Sequence, residues 1–113
     1  MLSYDDILLD AGPDGRAREA ELLARSAALM RVADTPGASP AAAAKAARFA
    51  ERLWSRLIED LGSPGNALDP ALRADLISIG LFVMRTADDA RLGRGEFRPA
   101  MEVTETLRRG LAA

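Results

Sequence analysis

The sequence predicts an all-α fold, a compact and mostly antiparallel bundle of four main helices. Three observations carry this expectation. Apolar residues make up 49% of the chain while aromatic residues make up only 4%, so leucine and alanine, both strong helix formers, supply most of the core material. Strand-favouring valine, isoleucine, tyrosine and threonine are sparse and never alternate over a usable run. Apolar residues recur instead at three- and four-residue steps, in segments divided by Gly- and Pro-rich punctuation.

The punctuation falls at Gly12-Pro13-Asp14-Gly15, at Asp34 to Pro40, at Gly62 to Asn66, and more weakly at Gly93-Arg94-Gly95. The first helix is expected from about Arg16 to Val32, with Leu22, Leu23, Ala27, Met30 and Ala33 on its apolar face. The second opens on Ser39 as N-cap with Pro40 at the first helical position and runs to Leu61, where Gly62 stops it. Its stripe is broad: Ala46, Phe49, Ala50, Leu53, Trp54, Leu57, Ile58 and Leu61. The third opens the same way, on Asp69 and Pro70. Between Leu76 and Met84 it is apolar nearly all round, which predicts the buried centre of the bundle, with Leu76, Ile79 and Val83 almost fully enclosed. Gly80 in that stretch costs about 1 kcal/mol against alanine and is explained by the close approach of a neighbouring helix. The last helix, Glu96 to Leu111, carries Phe97, Met101, Thr104, Leu107 and Leu111 on one face, and Pro99 fits only in its first turn. Before these, Ser3 to Leu9 is expected to add a short turn that docks by Ile7 and Leu8. A single helical domain is expected over 1–113, with 1–15 as its N-terminal segment.

The same inventory argues against catalysis. There is no histidine and no cysteine, which removes the commonest general base, the thiolate nucleophile and the usual zinc ligands. The carboxylate pairs Asp5-Asp6, Glu59-Asp60 and Asp88-Asp89 are adjacent in sequence. Neighbours on a helix diverge by about 100°, so these pairs do not converge on one ion. Gly93-Arg94-Gly95 has neither a preceding strand nor a third glycine, and reads as a turn. Neither enzyme activity nor a cofactor nor a metal is expected. The formal charge of −2 and arginines spread over all four helices make direct nucleic-acid binding an unfavoured reading, although Arg108-Arg109 could touch RNA. Met1 to Asp10 has no basic n-region, and the longest apolar stretch, Ile77 to Met84, falls far short of the roughly 20 residues of a membrane span. The chain is therefore expected in the cytoplasm, away from membranes.

Function is expected to lie in binding. Helix 2 offers more apolar positions than one face can bury, and the Gly62 to Leu68 turn leads directly into helix 3. A partner site is therefore expected at Trp54, Ile58 and Leu61, with Asn66 and Leu68 at its edge, although Trp54, as one member of an apolar stripe, fits a core position better than a contact position.

From Leu53 onward the chain resembles a known family. Leu53-Trp54, Asp60-Leu61, Asn66, Leu68, Leu72-Arg73 and Leu76-Ile77-Ser78-Ile79-Gly80 ending in Val83 look like the pattern of the FlaF family of flagellar biosynthesis regulators. Upstream, Arg18-Glu19-Ala20-Glu21 followed by Leu22-Leu23 and Leu29 resembles its first helix, and the closing Gly110-Leu111 also fits. Phe82 departs from the pattern where tryptophan is frequent, and Thr104 where asparagine is common. The resemblance implies a small helical protein of α-proteobacterial type. It would bind unassembled flagellin before export, support flagellin production and secretion, and act beside the FlbT regulator of flagellin mRNA. Free flagellin has terminal amphipathic helices, and a helix-in-groove mode would cover them. Two other readings stay open: a post-transcriptional regulator that contacts mRNA through its arginines, and a structural oligomerising bundle.

Overall fold

The structure, a computed structural model, describes residues 12–112, with side chains over 17–111. The turn expected at Ser3 to Leu9 lies outside the described residues. Four helices follow in order: α1 (Gly12–Ala33), α2 (Pro40–Leu61), α3 (Pro70–Arg91) and α4 (Arg98–Ala112). No strand occurs among the described residues.

Local chemistry sets the helix ends. Ser39 Oγ accepts a hydrogen bond from the Ala42 N–H at 3.2 Å, and Asp69 Oδ2 accepts one from the Ala71 N–H at 3.1 Å. Each cap satisfies one orphan donor of its first turn, and the Pro that follows at the first helical position has no N–H to satisfy. At the far end of α3, Gly93 adopts φ +77, a left-handed conformation that glycine enters without penalty. Helix α1 begins at Gly12, four residues earlier than expected, so Gly12 to Gly15 is its first turn and not a loop. Proline is tolerated there because first-turn N–H groups have no intrahelical acceptor.

Consecutive helices pack side by side and α4 closes onto α1, so the bundle is a ring in chain order with antiparallel neighbours. Its extents are 43 × 23 × 23 Å, two helix diameters across in both short directions. Two contacts tie the ends together. The Phe97 N–H donates to Asp34 Oδ1 at 2.9 Å, joining the start of α4 to the end of α1. At the other end Arg73 Nη1 donates to the Leu61 carbonyl at 3.5 Å, joining α3 to the end of α2.

A ring of four has no central helix, and this corrects the reading of α3. Val83 is fully enclosed, but Leu76 and Ile79 are only half-buried. The face of α3 that meets the axis runs through Gly80, Val83 and Ala87. Leu81 and Phe82 lie well around the helix from it and remain 48% and 40% exposed. Helix α2 is the most deeply set, burying Ala46, Ala47, Ala50, Trp54, Leu57 and Leu61. Gly80 plays the part expected of it. A methyl group there would overlap Trp54 Cε3 and lie 3.0 Å from Trp54 Cζ3 and 3.1 Å from Ile58 Cδ1. The indole of α2 therefore rests directly on the α3 backbone.

Candidate functional site

The five residues expected to form a partner site do gather at one end of the bundle, but mostly beneath its surface. Trp54 and Leu61 are 2% and 1% exposed and belong to the core, and Asn66 is also buried. Ile58 and Leu68 are half-buried against them. The surplus apolar surface expected on α2 is reduced to the half-buried Phe49, Leu53 and Ile58, since its exposed positions are Pro40, Ala41, Lys45, Arg48, Glu51, Arg52, Ser55, Arg56 and Glu59. The surplus lies on α3 instead, at Leu72, Leu81 and Phe82. Asn66 has a structural task. Its Oδ1 accepts from the Leu68 N–H at 3.0 Å, closing an Asx turn that aims the chain into α3.

Above these buried residues the helix ends leave an apolar pit of about 310 Å³. Leu23 and Trp54 form its floor, Leu68, Leu72 and Leu76 one wall, and Leu107 and Leu111 the other, with Thr106 and Gly110 at the rim. Four elements build it: α1, the end of α2, the start of α3 with the turn before it, and the end of α4. Leu72, 45% exposed, is its most accessible wall residue. Leucine on three sides over an indole is suited to apolar side chains presented from one face of a helix.

Two of the residues that line this pit each bury a polar atom without a hydrogen-bond partner among the described residues: Glu19 Oε2 and Trp54 Nε1. Glu19 is 2% exposed, and its removal from water raises the carboxyl pKa from 4.5 to about 7. Glu19 is thus an acidic residue on the core face of α1. The signal was present in the spacing, since Glu19, Leu23, Ala27 and Met30 step along one face at intervals of four and three. Ser26 shares that face, fully buried, with its Oγ unpartnered among the described residues. Thr104 on α4 is also fully buried. Its hydroxyl donates to the Ala100 carbonyl of its own helix at 2.7 Å, so the position needs no partner outside the helix.

No helix among the described residues is long and apolar enough to cross a membrane. With the geometry in place, comparison with known proteins adds one match: the family model described as flagellar protein FlaF aligns with residues 2–111. Neither the curated proteins nor the solved structures searched for similarity yield a match.

Proposed function

Because the chain belongs to the FlaF family of flagellar proteins, we propose that it binds unassembled flagellin in the cytoplasm and supports flagellin production and secretion, acting as a binding protein without catalysis. One observation carries the reading: a leucine-walled pit over Trp54, with Leu72 projecting at its edge, in a protein of a flagellar family. An amphipathic flagellin helix would seat two or three apolar side chains there and keep them from self-assembly. The FlbT regulator is a further candidate partner.

The experiment uses Leu72→Asp. Leu72 is exposed enough that a carboxylate can remain in water, so the fold should persist, whereas Trp54→Ala would cost about 3–5 kcal/mol and could unfold the domain. The variant is expected to keep its circular dichroism spectrum and to bind purified flagellin at least about tenfold more weakly, the loss of roughly 1.4 kcal/mol of apolar contact. A folded Leu72→Asp protein that binds flagellin as tightly as the parent would remove the pit from the reading.

A further inference from the structure

The arginines read from the sequence as spread over four helices converge, in part, on one groove. Between α1 and α2 lies a trough of about 580 Å³ whose cationic lining is Arg25, Lys45, Arg48, Arg52 and Arg56. No acidic residue lines it, and none of the five forms an ion pair among the described residues, where the ion pairs are Arg91 with Asp88 and Arg108 with Glu105. Five positive charges here, against a chain total of −2, leave −7 on the remainder. The floor is apolar: Leu22, 36% exposed, with half-buried Phe49 and Leu53.

From this groove we infer a second docking surface, separate from the pit, for an amphipathic helix with an acidic face on a protein partner. Three features select that occupant. The trough runs between two antiparallel helices, the setting in which a third helix packs side chains into the seam. Along α2 the cations follow one another at three- and four-residue steps, and Arg48, Arg52 and Arg56 repeat about every 6 Å. An α-helix with glutamates four residues apart presents carboxylates at the same interval, while its leucines face the floor. The third feature disfavours nucleic acid. Phe49 is the one aromatic in the trough among the described residues, and the Arg25 guanidinium already lies 5.7 Å from its ring centroid. That contact takes up one face of the ring, so the trough lacks the series of open aromatic faces on which successive bases stack.

The test is fluorescence anisotropy on the full-length protein with three probes. These are a three-heptad leucine–glutamate amphipathic peptide, a composition-matched scramble with no apolar face, and an oligouridylate of matched charge. The amphipathic peptide is expected to bind tightest. Arg48→Glu combined with Arg52→Glu, both exposed, is expected to weaken it about tenfold while circular dichroism stays unchanged. Leu72→Asp in the pit is expected to leave this affinity alone, so loss of flagellin binding and loss of peptide binding are separate failures. The inference is overturned by any of four results: a scramble that binds equally, an oligouridylate that binds tighter than the peptide, peptide binding lost in Leu72→Asp, or a dimer of this chain broken by the charge reversals.

Discussion

Glu19 is the residue whose environment and chemistry conflict most. A carboxyl group sits on the core face of α1, beside the indole floor of the pit, with one oxygen lacking any partner among the described residues. Burial is the cause of its raised pKa, from 4.5 to about 7, and the sign of the consequence follows. An acid whose folded pKa lies above its unfolded one favours the folded state most when protonated. Its contribution is complete below about pH 4.5, declines as pH rises through the window up to about 7, and is lost above it. The full penalty is of the order of 3 kcal/mol. Thermal melts from pH 5 to pH 8 should therefore show falling stability. Glu19→Gln, which keeps the shape without the charge, should flatten that slope and melt higher than the parent at pH 8. A Glu19→Gln protein that melts lower than the parent at pH 8 would show that the carboxylate is stabilised by its surroundings. The spacing that put Glu19 on the core face was readable from the chain. Its burial was not, because a charged residue at a core step is ordinarily reconciled by pointing outward.

At the scale of the element, the ends were the most readable feature. Ser39-Pro40 and Asp69-Pro70 act through bonds within three residues of each cap, so no distant contact can overrule them cheaply. The close meeting of α2 and α3 at Gly80 was readable in kind but not in partner. A glycine in an apolar helical stretch announces that something approaches, and only the packing identifies Trp54 and Ile58. Gly80→Ala would gain about 1 kcal/mol of helix propensity and lose more by displacing the indole, for a net destabilisation of about 1–3 kcal/mol. Urea denaturation with an unchanged slope would register that loss as a lower midpoint. A stabilised Gly80→Ala variant would mean that the glycine is not required by the contact. Where the period was unclear, the reading failed. Residues 76–84 of α3 are apolar on every side, so hydrophobicity alone cannot say which face turns inward.

For the whole molecule, the ring arrangement decides how a partner can be held. Its end presents leucine above a buried indole and its α1–α2 flank presents guanidinium groups, so the two surfaces differ in their response to salt. Flagellin seated by apolar contact should stay bound between about 50 and 200 mM salt, because moderate salt leaves apolar burial nearly unchanged. Six to ten phosphate contacts would lose roughly a thousandfold or more over the same range. Titration of the protein against flagellin and against the flagellin mRNA leader at both salts separates the cases. Tight, salt-sensitive RNA binding without flagellin binding would replace the proposed function with post-transcriptional regulation.

The chain by itself determined that there are four helices, three of whose starts it placed at or within two residues, and that the punctuation between them is made of turns. These features rest on interactions within one turn of helix, between caps, prolines, glycines and the residues beside them. It also carried the family pattern, through residues that the structure then assigned to packing: Trp54 under the pit, Asn66 closing a turn, Gly80 against the indole. Tertiary structure alone decided which stripe of each helix faces the axis. It left Leu72 at the rim of a pit assembled from four elements, and it brought Arg25 of α1 beside the cations of α2. Burial depends on how each helix is rotated about its own axis relative to neighbours far away in sequence. A period of 3.6 residues records where a helix is apolar, not what it faces.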